Sequence, residues 1–409
     1  MTDSDNPKPK ANGPNASSDL RPMASPQFAT YFPKLGDPRS AYVHIPFCRH
    51  RCGYCNFTLV AGRDYLIERF LNTLTIEIQW LDQTYELDTL FLGGGTPSHL
   101  SPKQLDQLAQ TLNSRFEYSD AEVTAECNPN DLDESTMEAF AKLGVNRISL
   151  GVQSFSPTKL KTLERDHTPD DIRRAVSVAK QFGAAVSMDL IFAAPEESDS
   201  EWQQDLEIAI SLQPDHVSTY ELTYEKGTQF WNRLHRGNIE ISDEDLRATM
   251  YSTAIERLAE SGFEQYEVSS FAQPNSQCQH NQAYWIGDPF FAFGPGAARL
   301  IDGRRETNHQ STTRYLKLIE SNQSPVADSE FLSPEESARE RLAIGLRMAT
   351  GVDEVTFKQR TSFDVAELLS GFETMLIEND LLVHDASTWR LTQSGLMVCD
   401  WIASKIVCG

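Results

Sequence analysis

The chain has 409 residues, 36 of them basic and 59 acidic, for a formal charge of −23. That balance repels phosphate backbones and argues against nucleic-acid binding, while 40% hydrophobic and 10% aromatic residues are enough for one large domain and a smaller one. No run approaches about 18 consecutive apolar residues and no basic start leads into an apolar stretch, so neither a membrane span nor a signal peptide is expected, and the expected setting is the reducing cytoplasm.

Residues 1–40 hold seven of the twenty prolines amid Asn, Ser, Gly and Asp, and are expected to form a disordered tail. The first candidate strand, Ala41–Ile45, then runs into Cys48, Cys52 and Cys55, spaced C-x3-C-x2-C. Three thiolates on one short loop can hold three irons of a 4Fe–4S cubane and leave the fourth iron open to a small molecule. A structural zinc site needs four ligands; His44 or His50 could add one, but no second Cys/His pair lies at zinc-finger spacing. Disulfides would need an oxidising compartment.

Further candidate strands are Thr89–Leu92, Glu122–Glu126, Arg147–Val152, Val186–Phe192 and His216–Glu221. Helical patterns near 64–83, 101–115, 133–143, 169–182 and 200–212 lie between them. This alternation implies a parallel sheet, because parallel neighbours need crossover connections. Gly93–Pro97 follows the second strand, Glu126 ends the third, and Gln153 follows the fourth. Asp189 lies in the fifth strand and Glu221 closes the sixth. Parallel α/β folds bind ligands where these carboxyl ends converge.

A helix is expected at 245–261, and residues 251–330 read as a connecting segment containing His280-Asn281-Gln282-Ala283-Tyr284-Trp285. Residues 331–409 read as a separate α+β module, winged-helix-like. Its helical patterns fall at 334–349, 353–359, 363–378 and 393–406, with short β runs at Leu381–His384 and Trp389–Leu391. Winged helices often bind DNA, but twelve acidic residues against seven Lys and Arg here, a net of −5, favour a structural or protein-contact role.

Together, the cysteine loop with its leading Tyr42–Phe47, Gly93–Pro97, Glu126–Pro129, Gly151–Phe155, Arg165 and Met188–Phe192 resemble the radical S-adenosylmethionine superfamily. The likeness runs from about residue 41 to the C-terminus. It is narrowest to the branch of oxygen-independent coproporphyrinogen III dehydrogenases and heme chaperones. The resemblance implies an α/β core at 41–250, a partial (β/α)6 barrel of TIM-like type. It implies a 4Fe–4S cluster on Cys48, Cys52 and Cys55. It also implies S-adenosylmethionine against Tyr42, Tyr54, Gly94, Gly95, Thr96, Glu126, Gln153, Arg165 and Asp189. Lacking side chains, Gly94 and Gly95 would let backbone groups approach the ligand, and Glu126 would accept from its amino group or ribose.

The run 280–285 matches the H-N-x-x-Y-W motif of the chaperone group and implies heme, with His280 as axial ligand and Tyr284 and Trp285 against the porphyrin. Cys278 is a competing ligand, and taken alone such residues more commonly cap a loop and fill a core. Phe57 stands where the dehydrogenases have a fourth cysteine, and the Pro-rich tail replaces their longer N-terminal extension. Both departures disfavour the competing activity, oxidative decarboxylation of coproporphyrinogen III. Two others, Asn56 for Asp and Ala193–Glu196 for a Gly-Leu-Pro-Gly type turn, remove no cluster ligand. The implied function is a heme chaperone serving apo-hemoproteins, respiratory ones at the membrane, with a homodimer as a further implied form.

Overall fold

A computed structural model describes residues 37–408; the first 36 residues of the expected tail lie outside the described residues. Twelve strands form one sheet. In chain order they are β1 (Ser40–Ile45), β2 (Thr89–Gly94), β3 (Glu122–Cys127), β4 (Arg147–Gln153), β5 (Ala185–Phe192) and β6 (His216–Glu221). There follow β7 (Glu264–Glu267), β8 (Ser270–Ala272), β9 (Phe290–Phe293), β10 (Ala298–Ile301), β11 (Arg304–Asn308) and β12 (Val326–Phe331). Their order across the sheet is β7-β8-β6-β5-β4-β3-β2-β1-β9-β10-β11-β12.

Strands β1 to β6 are parallel and consecutive, the partial barrel expected. It stays open because β1 takes β9 as its outer neighbour, while β6 takes β8 in antiparallel pairing. Alternation along these strands separates two chemistries. Ala41, Val43, Ile45, Leu90, Leu92, Val123, Ala125, Ile148 and Leu150 join Leu74, Ile78, Leu108, Phe140 and Ile172 of the covering helices in one buried cluster. The intervening positions, among them Tyr42, His44, Glu126, Ser149 and Asp189, occupy the other face of the sheet. In parallel α/β barrels ligands bind at the carboxyl ends of the strands, so the polar residues at that end of this face are the candidate site.

The segment 251–330 is more than a connection. It supplies six strands to the same sheet, and helix Glu244–Glu260 runs through its expected boundary. Strands β7 to β11 have only three to five residues each, and β11 and β12, Arg-Arg-Glu-Thr-Asn and Val-Ala-Asp-Ser-Glu-Phe, carry little apolar periodicity. The C-terminal module has its own buried cluster, from Ala338 to Ile406, around a sheet of Val352–Asp353, Thr388–Leu391 and Leu382–Asp385. The expected helix 363–378 is two, Val365–Leu369 and Phe372–Glu378, because Ser370 and Gly371 between them take φ of 50° and 88°. The last helix likewise splits, into Gln393–Met397 and Cys399–Cys408. Among the described residues no helix is long and apolar enough to cross a membrane.

Candidate functional site

Strands β1 and β2 stay in register as far as Ile45 opposite Gly94, so the loops that follow leave the sheet side by side. Gly95 N–H donates to Ile45 O and Thr96 N–H to Phe47 O, each at 2.8 Å. Phe47–Cys48 then pairs with Val60–Ala61 and closes the cysteine loop at its base. From the far side, Phe230 N–H donates to Gly53 O at 2.9 Å, and Tyr54 stands edge-on to the Phe230 ring, centroids 6.2 Å apart.

A chain of polar contacts ties this loop to the neighbouring strand ends. Cys48 Sγ lies 3.2 Å from Thr96 Oγ1, and Asn128 Nδ2 donates to the same oxygen at 3.3 Å. Arg165 Nη2 donates to Asn128 Oδ1 at 2.6 Å and to Gly151 O at 2.9 Å. Its Nη1 reaches Cys52 Sγ at 3.7 Å, and its Nε is buried without a partner. Asn128 was not among the expected site residues, although it sits within the Glu126–Pro129 run; its partners become neighbours only through the strand register.

All seven cysteines are free thiols. Burial pushes Cys48 up to about 11 and raises Cys55. Iron at these sulfurs would offset the cost of ionising them. Among the described residues no three His, Cys, Asp or Glu side chains converge on a single-ion point. A cubane asks for something else, one thiolate on each of three irons. Three free thiols on one loop, with a guanidinium beside Cys52, fit that requirement.

Two carboxylates stand on the polar face near this rim. Glu126 accepts from Gly94 N–H at 2.9 Å; burial, reinforced by nearby Asp189, drives it up to about 7. Asp189 accepts from Ser149 Oγ at 2.9 Å and is raised by burial. On β1, Tyr42 OH lies 3.0 Å from His44 Nδ1, and His44 Nε2 lies 2.6 Å from Thr58 O. Burial raises Tyr42 and lowers His44. Gln153 has φ of 64° at a break in the β4–β5 register, a strained position for a residue with a side chain. Gly94 has φ of 105°, and a Cβ there would land on the His44 ring; one at Gly95 would lie 2.7 Å from Ile45 O and Phe47 O. These glycines are therefore required by the packing of their loop on β1, before any ligand is considered.

His280 lies at the opposite strand ends. Its helix, Gln279–Trp285, is held by Glu122, the first residue of β3, whose Oε1 accepts from His280 N–H at 3.0 Å. The ring stacks on Phe91, centroids 5.1 Å apart. Its Nδ1 lies 2.8 Å from Thr89 Oγ1 and its Nε2 2.7 Å from Tyr284 OH. Since Thr89 gives its hydroxyl proton to Ser40 Oγ at 2.9 Å, Nδ1 is the donor and Nε2 accepts from Tyr284. His280 is 1% exposed, and burial pulls it down to about 3, so the ring is neutral. As packed, it offers iron no lone pair; heme ligation would require it to leave this place. The competing Cys278 is equally enclosed, its Sγ 3.6 Å from Glu122 Oε1 and its thiol pushed up by burial to about 12. Trp285 lies under Arg347, 4.9 Å from the guanidinium, and Arg341 Nη1 donates to Ile286 O at 2.8 Å. In this arrangement the run 280–286 joins the sheet to the C-terminal module.

Comparison with known proteins agrees with this architecture. The family model described as Radical SAM superfamily matches residues 42–209, and that described as HemN C-terminal domain matches 332–398. The chain is 32% identical over 366 residues to heme chaperone HemW of Bacillus subtilis, covering 88% of this chain and 97% of that protein. It is 34% identical over 375 residues to heme chaperone HemW of Lactococcus lactis, covering 91% and 98%. Radical S-adenosyl methionine domain-containing protein 1, mitochondrial, of Danio rerio is 36% identical over 346 residues, covering 81% and 77%. Among solved structures, coproporphyrinogen III oxidase (HemN) from Escherichia coli matches with a TM-score of 0.80 at 21% identity, over 93% of this chain and 92% of that one. That last likeness is one of fold.

Proposed function

The chain belongs to the radical S-adenosylmethionine superfamily, among its HemW proteins, and from that premise we propose that it is a heme chaperone, binding heme and passing it to apo-hemoproteins in the cytoplasm or at a membrane's inner face. The observation that carries this is the extent of the relationship, which spans 97% of a protein called heme chaperone HemW at 32% identity. Phe57, at the position of the dehydrogenases' fourth cysteine and 61% exposed, supports the same reading over porphyrinogen decarboxylation.

Cys48, Cys52 and Cys55 would hold the cluster, and Thr96, Glu126, Gln153, Arg165 and Asp189, with Tyr42 and Tyr54, would hold S-adenosylmethionine. Bound together, the two supply the one-electron chemistry of the superfamily. The chain's own contribution is placement. Arg165 sets a cation beside Cys52 and anchors to Asn128 and Gly151 O. Gly94 N–H fixes one oxygen of Glu126 and leaves the other for a ligand's donors. Heme would bind outside the enclosed place of His280, or at that histidine once it has swung free.

The test is to incubate reconstituted protein separately with heme and with coproporphyrinogen III. A Soret band that moves to an added apo-hemoprotein, with no decarboxylation, is expected. Robust decarboxylation in the presence of reductant and S-adenosylmethionine would replace the proposal with an oxygen-independent coproporphyrinogen III oxidase.

A further inference from the structure

Beside the cofactor rim, a buried lysine joins two carboxylates. Lys159 is 6% exposed; its Nζ pairs with Glu197 and lies 3.1 Å from Asp205 Oδ2, over the Trp202 ring. Each carboxylate also grips backbone beyond the end of a different strand. Asp205 accepts from Ser154 Oγ at 2.6 Å and from Phe155 N–H at 2.7 Å, just past β4. Glu197 accepts from Ala194 N–H at 2.9 Å, just past β5. Both segments hold residues at positive φ: Gln153 at 64°, Ala193 at 61° and Glu196 at 64°. Such conformations persist only where the surroundings over-determine them.

We propose that Lys159, Glu197 and Asp205 are positioning residues, clamping the ends of β4 and β5 together so that Gln153 and Asp189 keep the geometry in which S-adenosylmethionine binds. The inference rests on the cofactor reading of that rim. Burying three charges costs solvation, and apolar side chains of similar volume commonly hold two strands as well or better. What apolar packing cannot supply is directional contact with the N–H groups of two strained loops at once. The network also stands apart from the cysteines: no member of it hydrogen-bonds to Cys48, Cys52 or Cys55 among the contacts of the described residues. Cofactor affinity and cluster content are therefore separable.

The experiment compares reconstituted wild-type protein with Ser154→Ala, Asp205→Asn and the charge-balanced double variant Lys159→Met with Glu197→Gln. Calorimetry reads S-adenosylmethionine affinity, chemical analysis reads iron and sulfide, and thermal melting reads the fold. Affinity should fall about tenfold or more in the double variant and in Asp205→Asn, and about threefold in Ser154→Ala, with iron per chain unchanged. Unchanged affinity in folded variants, even with a lowered melting temperature, would overturn the proposal and leave the network a purely structural one. Should the double variant fail to fold, Ser154→Ala decides, since it deletes a single oxygen. Wild-type protein that binds no S-adenosylmethionine would instead overturn the cofactor reading, and the inference with it.

Discussion

Replacing His280 by alanine separates a packed core histidine from an iron ligand, and the structure sets the size of the effect. The ring is 1% exposed and joins Thr89 to Tyr284, so its removal deletes two buried hydrogen bonds and leaves the Tyr284 hydroxyl without its acceptor. Two lost bonds at about 1 kcal/mol each, an orphaned hydroxyl and a partly collapsed cavity sum to about 3–5 kcal/mol at neutral pH. The pH dependence has a definite sign. The folded ring titrates at about 3 and the unfolded one at 6.5, so the stability it contributes is fully present above about 6.5 and is lost as pH falls toward 3. The variant lacks that loss. The gap between the two proteins should therefore shrink on acidification, by about 2 kcal/mol between pH 7.5 and pH 5. Urea unfolding followed by tryptophan fluorescence at the two pH values reads this directly. An unchanged midpoint at pH 7.5 together with a lost heme Soret band would refute the reasoning, because the ring would then be free to meet iron.

Anaerobically purified Cys48→Ala, Cys52→Ala, Cys55→Ala triple variant should contain essentially no iron or sulfide, whereas undiminished content would move the cluster elsewhere. Gly94→Ala should be destabilised by about 3 kcal/mol or more in the same urea assay, since it combines a positive φ with a Cβ placed on the His44 ring; a wild-type midpoint would show that His44 yields easily. Glu126→Gln tests a half-buried acid: with the folded carboxyl at about 7 against an ordinary 4.5, the wild-type protein loses about 3 kcal/mol as pH rises from about 4.5 to 7, and the variant should not. Parallel stability–pH curves for the two proteins would show that the folded carboxyl titrates as it does in the unfolded chain.

What was legible in the sequence was what neighbours in the chain decide among themselves. The strands from Ala41–Ile45 to His216–Glu221 stand out because short β-rich runs alternate there with longer helical patterns, and the structure moves their bounds by no more than two residues. The strands of 264–331 escaped because they borrow their stability from the sheet edge they extend. A few polar residues there, such as Arg304–Asn308, need no periodicity of their own once β10 and β12 flank them.

The candidate site divides along the same line. Three cysteines within eight positions carry their own argument, since a cluster needs several thiolates together and the loop provides them together. A histidine 191 positions from the threonine it bonds carries none, because its availability depends on a lone pair and the lone pair depends on the fold. The i, i+4 spacing of His280 and Tyr284 does place both on one side of a helix, yet that spacing is common to a heme wall and to an internal hydrogen bond. The register of β2 and β3, which sets Thr89 and Glu122 under that helix, is what engages both ring nitrogens in this arrangement, and nothing in the spacing of His280 and Tyr284 announces it.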